Sequence, residues 1–274
     1  MATVDLNTVT LYYERRGEGP PLLFVPGAAG DAGIWDSVVD AFADEFTVVT
    51  YDRRGNSRSP RPEGWTSTSV EEQATDAAEL LLSLGLAPAL VYGASSGAIF
   101  VNDLVLRHPH VVRGAVMHEP PYVGVSSDPA RVGAGIQAMV EQGMARGGPP
   151  AAMELFFRFV CGDQVFDALD PQLRSRVLAD GEVFFTVELP ALAEYLPGKE
   201  ELARVAVPCV VTAGVDSRDP ASPVHYHFEA SSWLADQLGT PLVELPGAHV
   251  PHLTHPQEFV EALRPTFERM WPIT

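Results

Sequence analysis

The sequence has few cysteines, few basic residues and no long apolar segment. The two cysteines, Cys161 and Cys209, are too few for a disulfide framework and suit a reducing compartment. Lysine and arginine together number 18 against 36 acidic residues, which gives a formal net charge of -18. Nucleic acid is therefore not expected as a partner, because its phosphates require basic side chains for neutralisation. A polyanionic substrate is disfavoured as well.

No apolar run reaches the roughly 18 residues that a transmembrane helix requires. The N-terminal segment MATVDLNTVTLYYERRG also has no apolar signal-peptide core. We therefore expect a cytoplasmic protein with no membrane partner, present as a monomer or homodimer. By contrast, hydrophobic residues make up 46% of the 274 residues, which is ample for a large core. The length suits one α/β domain with an insertion.

Short apolar runs alternate with helical patterns along most of the chain. The capping-box pattern Ser69-Val-Glu-Glu72 predicts a helix that continues to Leu84, and another helix runs from Ser96 to His108. Strands that alternate with helices predict a mostly parallel, doubly wound sheet covered on both faces, hence the α/β class. The predicted strands are the runs 21–26, 46–51, 89–92, 114–117, 209–212 and 241–245.

Residues 121–205 interrupt this alternation and have only helical patterns. Prolines at 129, 149–150 and 171 suit first helical turns, whereas Gly162 and Gly181 suit helix ends. The segment is rich in methionine and phenylalanine. We interpret residues 121–205 as a helical cap, or lid, over the carboxyl ends of the strands. Residues 1–120 and 206–274 then form the core domain.

The stretch LVYGASSGAIF, residues 90–100, places two serines between glycines, directly after a predicted strand and before a predicted helix. A serine in such a sharp turn exposes its Oγ at the helix N-terminus, and the glycines are needed because side chains would clash there. The third position of Gly-x-Ser-x-Gly is Ser95, which is therefore the candidate nucleophile. The alternative is a glycine-rich turn without chemistry.

An oxyanion hole requires two N–H donors directed at the developing negative charge. The backbone amide of Ser96 is one candidate donor. The loop Pro26-Gly27-Ala28-Ala29-Gly30 follows the first long apolar run, and its small residues allow close backbone approach to a ligand. We assign the second donor to Ala28. The alternative for this loop is a plain tight turn.

The candidate base is His249, which follows the last predicted strand, because this kind of fold orders its triad as serine, acid and histidine. His252 and His255 follow at three-residue spacing and raise a metal-site interpretation. Pro251 and Pro256 interrupt the helix that would align the three rings, so we expect no metal. The histidines in or beside helices are assigned surface or capping roles: His108, His110, His225 and His227.

Two carboxylates compete for the role of the acid. The usual position is the loop after the next-to-last strand, where Ser217 occupies the expected register and Asp216 lies beside it. One strand earlier, Glu119 ends an apolar run and is followed by two prolines that fix the backbone. A carboxylate there can hold the tautomer of His249 and stabilise its imidazolium form. We favour Glu119 and keep Asp216 as the alternative.

These motifs together resemble the α/β-hydrolase superfamily over essentially the whole chain, and more closely the zearalenone-lactone hydrolase group. VPGAAG stands where those enzymes have a Val-Pro-Asp-Gly loop, and YDRRGNSRSP resembles their Phe-Asp-x-Pro-Gly-x-Ser-Arg-Ser segment. GASSGA is similar to their Gly-Cys-Ser-Ser-Gly-Ala elbow, and MHEPP to their Cys-His-Glu-Leu-Pro run. The resemblance implies Ser95 as nucleophile, Glu119 as acid and His249 as base, with Ala28 and Ser96 as oxyanion donors. Ala28 departs from the family by replacing a glycine.

We therefore predict a cofactor-free serine hydrolase that acts on an ester or lactone of an apolar small molecule, as the aromatic and methionine-rich lid favours. A C–C bond hydrolase or a cofactor-free haloperoxidase-like enzyme would use the same triad. A different class of function is a ligand-binding receptor that retains the triad but closes on a ligand and recruits a partner. A purely structural scaffold would leave Ser95 unreactive toward a fluorophosphonate.

Overall fold

The computed structural model describes residues 2–271, which are organised around one eight-stranded sheet. The strand order is β1-β2-β4-β3-β5-β6-β7-β8. Strand β2 pairs antiparallel with β1 and β4, and all other neighbouring strands are parallel. The bounds are Ala2–Asp5 (β1), Thr10–Arg16 (β2), Pro21–Val25 (β3), Thr47–Tyr51 (β4), Ala89–Ala94 (β5), Val112–His118 (β6), Cys209–Gly214 (β7) and Leu242–Leu245 (β8).

Each of the six predicted strands overlaps an observed one, and the mostly parallel sheet is confirmed. Strands β4 and β5 are buried at every position, which explains why they are continuous apolar runs instead of alternating patterns. Strands β1 and β2 were not predicted from the sequence. Strand β2 has the sequence TLYYERR and is only partly buried, so it lacks the apolar run by which the other strands were predicted.

Helices fill the connections between the strands. Helix α1 packs against α12, and α2 packs against α3. Among residues 2–271, no helix has both the length and the apolar character needed to cross a membrane. The core helices are Asp36–Ala43 (α1), Val70–Ser83 (α2), Ser96–Arg107 (α3), His225–Leu238 (α10), Pro251–Thr254 (α11) and Pro256–Met270 (α12), and those between β6 and β7 are Pro129–Cys161 (α4), Asp163–Ala168 (α5), Pro171–Ala179 (α6), Gly181–Val183 (α7), Leu189–Glu194 (α8) and Lys199–Leu202 (α9).

The predicted helix boundaries follow from local chemistry. Ser69 is the N-cap of α2, and its Oγ accepts a hydrogen bond from the backbone N–H of Glu72 at 3.1 Å. Gly85 follows the end of this helix with φ of +66°, a conformation that glycine adopts without a steric penalty. His255 is the N-cap of α12 and Pro256 its first residue, as expected for the entry to the terminal helix.

Between β6 and β7, residues 121–205 form a segment that we call the helical insert. The structure describes all of these residues, and every regular element among them is helical. Helix α4 breaks at Gly147 and Gly148, whose backbone angles are non-helical, and Pro149 begins its second half. Gly162 ends α4 with φ of +84°, as predicted.

The prediction for Gly181 was wrong, because this residue begins α7 and does not end a helix. A Cβ atom at position 181 would lie 2.5 Å from the carbonyl oxygen of Pro149. Glycine is therefore required at this position for close packing.

Three polar contacts, two of them partly buried and one fully buried, join the helical insert to the core domain. Arg176 donates to both carboxylate oxygens of Asp31, from Nε at 2.5 Å and from Nη2 at 3.1 Å. Asp180 accepts from the backbone N–H and the hydroxyl of Ser57, at 2.6 and 2.5 Å. The third contact is an ion pair between Arg53 and Glu188, both fully buried. The insert therefore has a defined position over the carboxyl ends of the strands.

Candidate active site

Ser95 lies at the turn between β5 and α3, where the chain reverses sharply. Its backbone has φ of +57° and ψ of -129°, and its N–H donates to the carbonyl oxygen of His118 at 2.9 Å. A Cβ atom at Gly93 would lie 2.4 Å from the carbonyl of Gly97, and one at Gly97 would lie 2.3 Å from that of Val25. Only glycine therefore fits on either side of this turn, and the half-buried Ser95 is held in a left-handed conformation.

Glu119 and His249 form a buried hydrogen-bonded pair. Glu119 directly follows β6, and its Oε2 lies 2.7 Å from Nδ1 of His249. The other carboxylate oxygen accepts from the backbone N–H of Gly214 at 2.8 Å. Burial, the largest single effect, raises the pKa of Glu119, but the hydrogen bond with His249 and the electrostatic effect of the neighbouring histidines together outweigh burial and hold this pKa well below its ordinary value. The carboxylate is therefore ionised and fixes the orientation of the His249 ring.

The structure does not bring the alternative acid to His249. Asp216 lies in a short turn of 3₁₀ helix after β7, where its side chain is exposed. Its backbone N–H donates to the carbonyl of Gly247, and within residues 2–271 its carboxylate takes part in no hydrogen bond. Ser217, in the usual register of the acid, is buried, but a serine carries no negative charge.

Two backbone amides face the region around Ser95. The loop that contains Ala28 lies against Ser95, since a Cβ atom at Gly27 would be 2.9 Å from Cβ of Ser95. Ser96 begins α3, so its amide has no acceptor within the helix. Within the described chain, neither the Ala28 nor the Ser96 amide donates to another protein group. Both amides therefore remain available to stabilise negative charge next to Ser95.

A small apolar pocket of about 40 Å³ contains Ser95 and His249. Its core side includes Ile34, Trp35 and His252. Its outer wall is formed by α4 of the helical insert, through Phe156, Phe157 and Val160. Two of the phenylalanines predicted in the insert thus line the pocket, whereas Phe166 and Phe184 pack within the insert itself.

His227 is buried, and the expected surface or capping role was wrong. Its ring stacks on His249 with centroids 4.0 Å apart and planes 10° apart, and its Nδ1 lies 3.9 Å from Oε2 of Glu119. Burial lowers the pKa of His227 well below its usual value, so the ring is neutral. The sequence does not distinguish it from the partly exposed His225, since packing of α10 against β7 decides which face is buried.

The same cluster brings three metal-ligating side chains together. Ligand atoms of Glu119, His227 and His249 lie within 4.8 Å of one another. The two rings are nearly parallel, and nitrogen lone pairs lie in the ring planes, so these lone pairs do not converge on one point. Nδ1 of His249 is also already bonded to Glu119. The geometry therefore suits a stacked pair of rings and not a set of metal ligands.

The arrangement of strands and site is shared with known proteins. A family model described as the alpha/beta hydrolase family matches residues 22–262. An uncharacterized hydrolase of Bacillus subtilis is 30% identical over 270 residues, covering 97% of this chain and 96% of that protein. A zearalenone hydrolase of Cladophialophora bantiana is 28% identical over 268 residues, covering 92% and 91% of the two chains.

A solved structure of a thermophilic esterase from Thermogutta terrifontis superposes with a TM-score of 0.77. It is 22% identical in sequence, and the match covers 98% of this chain and 99% of the esterase. The resemblance found in the sequence motifs is thus confirmed, both for the superfamily and for the zearalenone hydrolases. The chain belongs to the α/β-hydrolase family.

Proposed function

We propose that this α/β-hydrolase is a serine hydrolase that cleaves the ester or lactone bond of an apolar small molecule. The observation that carries the proposal is the buried Glu119–His249 pair, whose histidine shares a pocket with Ser95 and Ala28. The apolar pocket wall supports an apolar substrate. The similarity to zearalenone hydrolases supports a lactone. We further propose that the helical insert acts as the lid, and that the protein is cytoplasmic and a monomer or homodimer.

In this mechanism His249 takes the proton of Ser95 as Oγ attacks the substrate carbonyl carbon. The amides of Ala28 and Ser96 stabilise the tetrahedral oxyanion, and Glu119 stabilises the imidazolium through Nδ1–H. Collapse of this intermediate breaks the bond between the carbonyl carbon and the alkoxy oxygen, and the leaving alcohol receives the proton from His249. The result is an ester of the acyl group with Ser95.

Water then completes the reaction. His249 accepts a proton from the water while the water oxygen attacks the acyl carbon. The bond from this carbon to Oγ of Ser95 then breaks, and Oγ receives the proton from His249. A simple ester releases its alcohol before this second step. In a lactone the alcohol stays tethered to the acyl group, so the net product is a single hydroxy acid.

The proposal is tested by Ser95→Ala together with a screen of esters and lactones of graded size. We expect the wild type to bind a fluorophosphonate covalently at Ser95, and the variant to lose both labelling and turnover. Product mass distinguishes ring opening, which adds one water to a single product, from cleavage into two fragments. Hydrolysis at the wild-type rate by the Ser95→Ala protein would contradict the proposal. Fluorophosphonate labelling without turnover of any substrate would instead favour the receptor alternative.

A further inference from the structure

Arg53 lies beneath the loop 26–30 and has all five of its side-chain N–H donors matched to acceptors. The side chain is fully buried, between the loop and the helical insert. Its backbone N–H also donates to the same loop, at the carbonyl of Gly30. The side-chain acceptors are Pro26 O from Nε at 3.1 Å, Gly27 O from Nη2 at 3.0 Å, Glu188 Oε2 from Nη2 at 2.8 Å, Glu188 Oε1 from Nη1 at 2.5 Å, and Gln73 Oε1 from Nη1 at 3.3 Å.

The bond to Gly27 acts on the proposed oxyanion donor through one peptide unit. The carbonyl of Gly27 and the N–H of Ala28 belong to the same planar peptide group and point in opposite directions. This carbonyl accepts from the guanidinium of Arg53 and from the backbone N–H of Gly30 at 2.9 Å, and the two bonds together direct the Ala28 N–H away from Arg53, toward the side of the loop that lines the Ser95 pocket. The positive charge also polarises the peptide, which strengthens its N–H as a donor.

The partner of Arg53 belongs to the helical insert. Glu188 ends a π-helical turn, Phe184–Glu188, and also accepts from Nδ2 of Asn56 at 3.0 Å. Phe184 and Phe185 of this turn pack on the ring of Phe156, with centroids 5.3 and 6.1 Å away. Phe156 lines the pocket beside Ser95. One turn of the insert thus contacts both the pocket wall and the arginine beneath the oxyanion loop.

We propose that Arg53 is a positioning residue that orients and polarises the Ala28 amide, and that Glu188 makes this orientation depend on the seating of the helical insert. The inference rests on the proposed function, because it assigns Ala28 a role in stabilising an oxyanion. Substrate contact with Phe156 is then coupled to the donor strength of the oxyanion hole by a continuous chain of contacts.

The neighbouring Arg54 provides a matched control. It is also buried and donates two hydrogen bonds to a carboxylate, from Nε and Nη2 to Asp76 at 2.8 and 2.6 Å. Its other side-chain contacts are to Thr8 and to the carboxylate of Glu72 at 3.6 Å, with none to the loop 26–30 in the described structure. Arg53→Lys and Arg54→Lys therefore remove the same planar fork from two buried ion pairs, and only the first pair touches the oxyanion loop.

The two variants are compared on an activated ester that the wild type hydrolyses. We expect Arg53→Lys to lower kcat by about 10²-fold, as for loss of an oxyanion donor, with KM within about threefold of wild type. Arg54→Lys is expected to keep kcat within about threefold. An alkylboronic acid forms a tetrahedral adduct with Ser95, and its inhibition constant is expected to weaken with Arg53→Lys by the factor lost in kcat/KM. Equal losses in the two variants, or unchanged boronate inhibition, would overturn the inference.

Glu188→Gln and Asp76→Asn form a second matched pair that leaves both arginines in place. An amide at position 188 directs its own N–H groups at the donors of Arg53, so we expect kcat to fall about tenfold. Asp76→Asn is expected to leave kcat unchanged, although it should lower thermal stability about as much as Glu188→Gln does. If Arg53→Lys does not fold, this second pair still tests the inference. Equal kcat values in Glu188→Gln and Asp76→Asn would refute the coupling between Glu188 and the oxyanion loop. Ser95→Ala is assayed alongside, since its activity reports on the proposed function and not on Arg53.

Discussion

At the scale of single residues, strained backbone marks the proposed catalytic positions. Among residues 2–271, three non-glycine residues have positive φ: Ser57, Ser95 and Glu119. Such conformations cost on the order of 1–3 kcal/mol each and persist where surrounding contacts fix them. Ser95 is fixed by the elbow glycines, and Glu119 by its bonds to His249 and Gly214. Two of the three strained residues are therefore proposed catalytic residues, and the third, Ser57, binds Asp180 of the helical insert.

The acid is tested by comparing Glu119→Gln with Asp216→Asn. Glutamine retains the shape of Glu119 but cannot stabilise the imidazolium, so we expect kcat to fall by roughly 10³- to 10⁴-fold. The exposed Asp216 is expected to change kcat by less than about twofold when replaced by asparagine. Steady-state kinetics on one ester measures both effects. Similar losses, or a larger loss for Asp216→Asn, would contradict the assignment of Glu119.

The site residues that were predicted from the sequence differ from those that were missed in the sequence separation of the contacts that place them. Ser95 lies in a motif whose geometry is set by its four neighbours, and Glu119 and His249 follow recognisable strands. His227 and the Arg53–Glu188 pair depend on contacts between distant parts of the chain. Arg53 and Glu188 are separated by 135 positions in sequence. No local pattern distinguishes such a pair from solvated charges, so only the folded structure reveals it.

At the scale of elements, the seating of the helical insert depends on buried carboxylates. Asp180 lies at the end of α6 and accepts two hydrogen bonds from Ser57. Burial, reinforced by the negative charges of Asp31 and Asp52, outweighs these bonds and raises the pKa of Asp180 to about 7. The contact between the insert and the core is therefore sensitive to pH.

The sign of this effect follows from proton binding. Between about pH 4 and pH 7 the folded state keeps a proton on Asp180 that the unfolded chain has lost. The stabilising contribution is thus fully present below about pH 4 and is lost as pH rises through 7. We expect the unfolding free energy of Asp180→Asn, relative to wild type, to rise by up to about 4 kcal/mol over this range. Urea unfolding at pH 4 and pH 8 measures this change, with Asp216→Asn as an exposed control. A pH-independent difference would contradict the prediction.

The helices and strands that were predicted correctly are also those with a local sequence signal. The capping residue Ser69 and the first-turn proline Pro129 each predict a helix from a few neighbouring residues, and both are observed in these positions. The strands buried on both faces were detected as apolar runs. The pair β1 and β2 lies at one edge of the sheet, with mostly exposed or half-buried positions and several charged side chains. Its formation depends on pairing with β4, which no short pattern encodes.

At the scale of the whole molecule, three neutral histidines are enclosed in the core. Burial lowers the pKa of His118 to about 4, and lowers those of His227 and His252 well below their usual value. The unfolded chain binds protons at these positions below about pH 6.5, whereas the folded protein does not. Their contribution to stability is therefore complete above about pH 6.5 and lost as the pH falls.

This acid sensitivity is tested with His252→Phe, which keeps a ring beside Trp35 but cannot bind a proton. When the pH is lowered from 6 to 5, the unfolding free energy of both proteins falls. We expect the variant to lose about 1.4 kcal/mol less than wild type per pH unit. The exposed His110 provides the control His110→Phe, which is expected to keep the wild-type slope. Urea titrations at several pH values measure the slopes. Identical slopes for wild type and His252→Phe would refute the explanation.

The small volume of the 40 Å³ pocket also affects how the protein binds its ligands. This volume is far below the roughly 300 Å³ at which typical ligand pockets begin, so we expect a sizeable acyl group to require movement of Phe156, Phe157 or Val160. These three residues lie on the half of α4 that follows the break at Gly147 and Gly148. We expect the wall to open before the ligand is captured, and the apparent affinity is then reduced by the open fraction. The protein then discriminates among substrates partly by size, because a larger substrate requires a wider and less frequent opening of the wall.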